Sequence, residues 1–483
     1  MQSIWVKDRR FEEQNALKTD IERDIVVVGG GIAGYLTAFR LAEHGKRVTL
    51  VEAGALLAGV TQNTTAHIST LQGNTYSQLI KDSEVNAGLY FRAGQEAIFA
   101  YRDMVERYGI DCGFEMQDGY IYAAKGTSEL KAEYRALKAI GADVEYLDAP
   151  ELLGYKMTGA IRLKEQAIFE PLKFLGALPQ NFEVFENTRI TDVDFKKNIL
   201  YAGNIKIKAE KIVIATNFPI IDFPGLYFLR MYKSASYAVQ TDRVGDIGGM
   251  YQSIGENGLT CRNAKGGIIT GGLDHRSGRE KTSGKDKRLY ERFRHLSENG
   301  TATHFWAAND CITFDRLPFV GYYSKKSRDI FVISGFNKWG MTNAMLASGL
   351  ITDMICGREN HLEYLFSPQR KLSGIANYLK NTAVTILHLA IMPLLPAVKS
   401  YKKLKNGEGG IVCYKGKTKA VYKDEKGMLH ICSPLCAHLK CRLSFNSDTL
   451  SWDCPCHGSR FTIDGEIITA PTVKNLDCHN TKS

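Results

Sequence analysis

The chain has 483 residues, 44% of them hydrophobic and 24% charged, and its formal net charge is +10. This balance excludes a disordered chain and is typical of an ordinary soluble protein with two or three domains. The basic residues are scattered, which argues against nucleic acid as a partner. The densest patch, residues 275–295, also carries acids and predicts a solvated face or a docking site for an acidic redox partner.

The N-terminal residues are polar and lack the apolar core of a secretory signal, so we expect a cytoplasmic protein. The longest apolar run, residues 383–398, is shorter than the roughly 20 residues that a membrane-spanning helix needs. We therefore predict no transmembrane segment. The run is interpreted as a buried or interdomain helix broken near Pro393, with a peripheral membrane contact as the alternative.

The first motif that carries chemistry covers residues 24–53. A β-branched run at 25–28 predicts a buried parallel strand, and an amphipathic helix follows it. Between them lies a G-x-G-x-x-G motif. Its first glycine allows a tight turn, its second lets backbone N–H groups approach a pyrophosphate, and its third lets helix and strand pack closely. Its glycines are Gly29, Gly31 and Gly34. The second strand ends at Glu52, whose carboxylate is placed to bind an adenosine ribose, so this unit predicts dinucleotide binding.

Later segments indicate which dinucleotide binds. Four segments resemble parts of the D-amino-acid-oxidase-like family, which includes glycine and sarcosine oxidases. They are the hydrophobic strand 211–219, the turn 315–321, the strand and helix 331–355, and the strand 184–190. The resemblance runs from about Ser3 to Gly357 and implies FAD as the cofactor. It implies flavin or adenine contacts at Thr64, Thr65, Ala66, Ile190, Ala215, Gly340 and Met341. For the segment 59–73 an ordinary capped loop is the alternative, and His67 within it is as readily a structural histidine.

The substrate half is predicted to be an antiparallel sheet built from residues 233–241, 258–275 and 303–315. The family resemblance implies an arginine that binds a substrate carboxylate, and Arg262 and Arg316 are the two candidates, each with a surface salt bridge as the alternative. We find no side chain that must act as a general base. That fits amine oxidation, in which the protein mainly orients the substrate.

Seven of the eleven cysteines follow residue 412, and this crowding in a chain expected to be cytoplasmic argues for a local cofactor site rather than a disulfide scaffold. Cysteine and histidine alternate in Cys436-x-His438 and Cys454-x-x-His457, unlike the Cys, Cys, His, His order of a zinc finger. The pattern resembles the Rieske 2Fe-2S signature. That resemblance implies that two thiolates hold one iron and two imidazoles the other.

The Rieske resemblance carries further implications for four neighbouring residues. It implies a disulfide between Cys441 and Cys456, as in cytochrome-bc-type Rieske proteins. Lys440 departs from the family pattern because a glycine is usual there. Phe461 departs from it because high-potential members have a tyrosine that hydrogen-bonds a cluster-coordinating sulfur, so we expect a potential below the respiratory-chain type.

We therefore predict an α/β fold with a Rossmann-like FAD-binding domain, an antiparallel-sheet substrate domain and a small all-β Rieske domain. The predicted limits are 1–370 for the flavoprotein, 371–406 for a helical linker and 407–483 for the Rieske domain. Within the flavoprotein, the FAD-binding part covers about 20–75, 176–220 and 316–360, and the substrate part covers about 76–175 and 221–315.

The resemblance of the whole chain to flavoproteins fused to a Rieske domain implies FAD-dependent oxidation of an amine or amino acid. Electrons would then pass singly through the 2Fe-2S cluster to an external electron carrier. Two alternatives stay open: an oxygen-using oxidase with a structural or redox-sensing Rieske domain, and a reductase in which electrons run from cluster to flavin. An oxygenase is disfavoured because we find no convincing spacing for a mononuclear iron site.

Overall fold

The structure, a computed structural model, describes residues 2–8, 11–255, 258–279, 283–371, 382–383 and 385–482. In these residues two large sheets lie before residue 340 and two four-stranded sheets lie after residue 408. No helix in the described ranges has both the length and the apolar character to cross a membrane.

The first large sheet has eight strands and a parallel centre. Its buried strand Ile21–Val28 pairs in parallel with Val48–Val51 on one side and with Ile205–Ile214 on the other. The end of Ile205–Ile214 pairs in parallel with Ser327–Ser334. The other strands of this sheet are Glu183–Phe185, Asp192–Asp194, Ile199–Ala202 and Phe319–Ser324. Carboxyl ends of neighbouring parallel strands therefore meet at one edge, which is where open α/β sheets bind nucleotides.

The second large sheet has nine strands and is mostly antiparallel, with one parallel pair between Glu115–Ala123 and Met250–Ser253. Its other strands are His67–Ile68, Val144–Asp148, Gly159–Ile168, Met231–Asp242, Thr260–Ala264, Gly267–Arg276 and Ala302–Thr313. A two-stranded ribbon joins Glu151–Leu152 to Tyr155–Lys156. The predicted antiparallel substrate sheet is thereby confirmed.

The α-helices cover both sheets. They are Ile32–Glu43, Thr75–Leu79, Glu84–Tyr108, Ser128–Ala139, Pro171–Ala177, Lys285–Phe293, Gly340–Ile355 and Glu363–Phe366. Ile32–Glu43 packs against Gly340–Ile355, and both are largely buried. The predicted strand, glycine turn and helix at residues 25–43 are confirmed, as is the helix expected within residues 331–355, which begins at Gly340.

The C-terminal domain consists of two small antiparallel sheets. One contains Gly409–Tyr414, Lys417–Lys423, Met428–Cys432 and Cys478–Lys482, and the other contains Ser444–Asn446, Ser451–Asp453, Arg460–Thr462 and Ile467–Thr469. Trp452 and the cysteines of the predicted cluster loops form its buried core. The predicted all-β fold is confirmed, while the domain limits stay a prediction.

The segment before this domain corrects one expectation. In the apolar run 383–398, residues 383, 385 and 386 are helical, the turns Leu387–Ile391 and Met392–Leu394 follow, and the helix ends near Pro393 as predicted. It is not buried, however, because most of its large apolar side chains are exposed. The predicted linker from 371 lies partly outside the described residues.

Candidate flavin and cluster sites

A cavity of about 1070 Å³ is lined by both large sheets and by the C-terminal domain. The carboxyl ends of the three strands that finish at Val28, Val51 and Ile214 open onto it. Most of the predicted cofactor-binding residues belong to its wall, namely Gly29, Gly31, Glu52, Thr64, Thr65, Ile190, Ala215, Gly340 and Met341. The fold thus brings together residues that are more than 300 positions apart in the sequence.

The three glycines of the turn have different environments. Gly29 has a φ of 107°, and a Cβ there would lie 2.6 Å from the Ala215 carbonyl oxygen. A Cβ on Gly34 would lie 1.9 Å from the Gly29 carbonyl oxygen, so Gly34 holds helix against strand and does not reach the cavity. At Gly31 the nearest atom to a Cβ is Thr61 Oγ1 at 3.4 Å. A side chain at Gly31 would therefore occupy the space that the cavity leaves for a ligand.

Glu52 is fixed at the end of the second strand by two backbone hydrogen bonds. Gly30 N donates to its Oε2 at 2.7 Å, and Gly54 N donates to its Oε1 at 2.8 Å. Each carboxylate oxygen keeps a free lone pair, so the residue can still accept from ribose hydroxyl groups.

The loop 59–73 is held against the start of helix Gly340–Ile355. The Thr342 hydroxyl donates to Ser69 O and accepts from Ser69 N, both at 3.0 Å. Ala66 supports this loop but does not line the cavity; its N–H donates to Thr64 Oγ1 at 2.9 Å. His67 lies in the wall, and burial, assisted by the nearby Arg262, lowers its pKa to about 3. A neutral, buried His67 fits the structural alternative.

These features fit FAD. The glycine turn leaves room for a pyrophosphate, Glu52 faces the position expected for the ribose, and the positive end of helix Gly340–Ile355 opens onto the far part of the same cavity.

The substrate-sheet side of the cavity contains charges that the sequence did not single out. Lys338 Nζ lies 2.5 Å from Asp274 Oδ2. Burial raises the pKa of Asp310 to about 6, while Lys338 opposes the rise. All three line the cavity. The sequence did contain a signal for this part of the site, because Asp310 is a charged residue within a largely apolar strand.

The structure corrects one of the two candidate substrate arginines. Arg262 is 2% exposed and does not line the cavity. Its Nε donates to Thr65 O at 2.6 Å, and its two terminal nitrogens donate to Asn263 O and Phe169 O. Arg262 therefore supports the loop 59–73 from behind, because its donors bind backbone carbonyls. Arg316 lies in the cavity wall and is exposed.

In the C-terminal domain, two loops bring together the four predicted cluster ligands. Cys436 and Cys454 are at most 1% exposed, and their thiols are hydrogen-bonded to each other. The hydrogen bond from Cys436 lowers the pKa of Cys454, which favours the thiolate that binds metals. The rings of His438 and His457 lie 5.2 Å apart between centroids.

The unpartnered ring nitrogens of these histidines test whether the site fits a cluster. Both nitrogens of His457 and the Nδ1 of His438 are buried and have no hydrogen-bond partner among the described residues. Burial holds the pKa of His457 well below its usual range, so its imidazole is neutral, as a metal ligand must be. Buried, unsatisfied nitrogens beside two thiols fit a 2Fe-2S cluster of the Rieske type.

The residues around these ligands also agree with such a loop. Lys440, where a glycine is usual, has a φ of 62° in the left-handed region. The Ser459 hydroxyl is hydrogen-bonded to the Cys436 thiol. Phe461 is fully buried in the same core.

Two disulfides support this domain. The structure joins Cys441 to Cys456, the pair that the family resemblance implied. It also joins Cys432 to Cys478, which tie the first small sheet together. Sequence reasoning missed this second bridge, since connectivity among seven crowded cysteines cannot be deduced from spacing alone.

The two predicted histidine ligands face the flavoprotein domain. Asp222 Oδ2 lies 2.9 Å from His438 Nε2. Phe228 lies edge-on to His457 with 5.6 Å between ring centroids, and Phe218 lies 6.3 Å from the same ring. The flavoprotein domain therefore covers the histidine side of the proposed cluster site.

Further hydrogen bonds hold the domains in this orientation. Arg276 donates to Pro455 O and Cys456 O, each at 2.9 Å, and Lys233 Nζ donates to Ala470 O at 2.7 Å. A Cβ on Gly278 would lie 2.7 Å from Pro455 N, which shows how closely the backbones approach. The C-terminal domain consequently supplies part of the cavity wall, from Ile467 to Ala470 and at Val473.

Fold and sites together define a flavoprotein oxidoreductase with an attached iron–sulfur domain. Residues 24–354 match the family model of the FAD dependent oxidoreductases (DAO), and residues 395–480 match that of the Rieske [2Fe-2S] domain. The chain belongs to the DAO family of FAD-dependent oxidoreductases and carries a Rieske 2Fe-2S domain. Its cofactors are accordingly FAD and a 2Fe-2S cluster.

Individual relatives agree with this assignment. The chain is 32% identical to the Rieske 2Fe-2S iron-sulfur protein YhfW of Bacillus subtilis, with 98% of this chain and 97% of that one covered. It is 22% identical to the gamma-glutamylputrescine oxidoreductase of Escherichia coli, over 72% and 87% of the two chains. The solved structure of glycine oxidase from Geobacillus kaustophilus superposes with a TM-score of 0.62 at 20% identity, covering 73% of this chain and all of the other.

Proposed function

We propose that the protein oxidises an amine or amino acid at FAD and passes the electrons one at a time through the Rieske cluster to an external carrier. Bound FAD accepts two electrons as a hydride, whereas a 2Fe-2S cluster carries one. The substrate would lose a hydride and a proton to give an imine, which water hydrolyses.

One observation carries the relay. Asn217 lines the flavin cavity, and the next residue, Phe218, faces the ring of His457. The segment from Ala215 to Asp222 thus runs from the cofactor cavity to both predicted histidine ligands. A Rieske domain with only a structural role has no need to turn its histidines towards the flavin cavity.

We assign the cluster to Cys436, His438, Cys454 and His457, with the buried nitrogens and thiols as support. FAD is assigned to the cavity residues described above. The positively and negatively charged side chains of Lys338, Asp274 and Asp310 suit a substrate that carries an ammonium and a carboxylate, with Arg316 available for the carboxylate. Oxidoreductases of amines and of glycine among the similar proteins agree with this substrate class.

The test is an anaerobic titration of the cofactor-loaded protein with a panel of amines and N-methylated amino acids. Flavin bleaching is followed by absorbance and the reduced cluster by electron paramagnetic resonance. We expect one compound to bleach the flavin and the cluster signal to appear afterwards.

Two results would contradict the relay. If a Cys454→Ser variant without cluster forms peroxide at the full turnover rate, the flavin reacts with oxygen directly and the cluster is dispensable. If no compound bleaches the flavin but a chemical donor reduces first the cluster and then the flavin, electrons run in the opposite direction.

A further inference from the structure

The residues that precede the Rieske domain expose an unusual amount of apolar surface. Of the fifteen large hydrophobic side chains exposed in the described part of the chain, seven lie between Ile386 and Val398. Leu394 is 82% exposed and Val398 is 97% exposed. Clustered exposure of this kind marks a binding surface, whereas single exposed apolar residues do not.

The backbone of this run is held firmly against the Rieske domain. Arg442 donates from Nη1 to Met392 O at 3.0 Å and to Leu395 O at 2.8 Å, and Ala397 N donates to Thr418 Oγ1 at 3.0 Å. Arg442 directly follows Cys441, which is disulfide-bonded to Cys456 in the other cluster loop. The apolar side chains are therefore presented to solvent on a fixed surface beside the cluster loops.

A run of positive charge continues this surface. Lys399, Lys402, Lys403 and Lys405 are exposed, and residues 386–407 contain neither aspartate nor glutamate. Exposed apolar side chains next to lysines, without acids, are the composition that lies in the interface of a membrane with anionic lipids.

We propose that the segment 386–405 docks the protein on an anionic lipid surface, with the apolar side chains in the headgroup boundary and the lysines against lipid phosphates. A second copy of the chain fits less well, because a twofold interface through this segment would bring its four lysines close to those of the partner. An acidic protein would have to match the shape of the apolar run, whereas a lipid surface adapts to it. This docking goes beyond the proposed electron relay and does not depend on it.

The test uses the full-length, cofactor-loaded protein in co-sedimentation with vesicles. One set contains phosphatidylcholine alone and the other contains phosphatidylcholine with phosphatidylglycerol, each at low and at high salt. We expect binding to the anionic vesicles at low salt, weakened by salt, and little binding to neutral vesicles.

Variants locate the surface. Replacing both Lys402 and Lys403 by glutamine should weaken partition into anionic vesicles about 25-fold, since each lysine near such a surface contributes about fivefold. Leu394→Ser combined with Val398→Ser should weaken it at least tenfold. Val85→Ser is the matched control, because Val85 is 67% exposed on the helix Glu84–Tyr108, outside the proposed docking segment.

Several outcomes would overturn the proposal. The proposal is wrong if wild-type protein does not sediment with anionic vesicles at low salt. It is also wrong if Val85→Ser loses as much vesicle binding as the Leu394 and Val398 changes do. Sedimentation that shows a dimer without lipid, converted to a monomer by the Leu394 and Val398 changes, would assign the surface to a second copy. Without vesicles, substrate should bleach the flavin of every variant as it does that of the wild type. A failure of lipid docking can therefore be told apart from a failure of the electron relay.

Discussion

Asp222 should tune the potential of the Rieske cluster from the flavoprotein domain. Its carboxylate lies 2.9 Å from His438 Nε2, and the two side chains are 17% and 9% exposed. Nδ1 of His438 has no hydrogen-bond partner among the described residues, so Nδ1 is free for the iron and Nε2–H donates to Asp222. A carboxylate on the outer nitrogen of a ligand histidine makes the ligand more basic and stabilises the oxidised, more positive metal.

The size of this effect follows from the change Asp222→Asn. A hydrogen bond to a charged group contributes about 1.5 to 3 kcal/mol, and one between neutral groups contributes about 0.5 to 1.5 kcal/mol. Replacement of the carboxylate by an amide should therefore remove about 1 kcal/mol of preference for the oxidised cluster. For a one-electron couple, in which 59 mV is a tenfold change, the potential should rise by about 40 mV.

The assay is a redox titration of the cluster followed by electron paramagnetic resonance. Asp464→Asn is the matched control. Asp464 lies 2.7 Å from Nδ1 of His430, a histidine of the C-terminal domain that is not a proposed cluster ligand. We expect a rise for Asp222→Asn and no change for Asp464→Asn. An unchanged potential in the first variant, with the cluster intact, would refute the coupling between domain contact and cluster.

Four further changes probe the cluster, the glycine turn and the core. Phe461→Tyr adds a hydroxyl in the cluster core and should raise the potential by about 40 mV, for one added hydrogen bond, in the same titration. Gly34→Ala should lower the free energy of unfolding in urea by about 1 to 3 kcal/mol, since its Cβ would meet Gly29 O. Gly31→Ala should keep the fold but lower the FAD content. Burial raises the pKa of Glu133 from 4.5 to about 7. The folded protein then keeps a proton that the unfolded chain releases, so stability falls as pH rises between these values. In Glu133→Gln the free energy of unfolding should depend less on pH, by up to about 3 kcal/mol over this range, as measured by urea unfolding at several pH values.

The sequence was informative where function depends on local geometry. The turn at Gly29 could be predicted because glycine placement and hydrophobic period are local signals, and the helix within residues 331–355 was implied by the family resemblance; the structure has both elements. The four proposed cluster ligands came from the resemblance of two short Cys and His motifs to the Rieske signature. In each case a few neighbouring residues carry the whole requirement.

Contacts between distant segments could not be predicted in this way. Arg262 lies on the expected strand, but nothing in its neighbours shows that its donors bind carbonyls at Thr65 and Phe169. Nor does the run 383–398 reveal from its composition that its apolar side chains face outwards, because an apolar sequence fits a buried helix equally well. Asp222 is 216 positions away from His438, and only the packing of two domains brings them together.

The covered histidines have a consequence for the external carrier. His457 is fully buried and His438 nearly so, with Phe218, Phe228 and Asp222 on their outer side. In this arrangement a carrier cannot reach the cluster through its histidines, and electrons that come from the flavin must leave on another side. The surface around Arg442 lies next to the cluster loop that contains Cys441 and holds the exposed run that begins at Ile386. If that run binds lipid, the proposed route leads from an amine in the flavin cavity, through the histidine side of the cluster, to a carrier at the membrane surface.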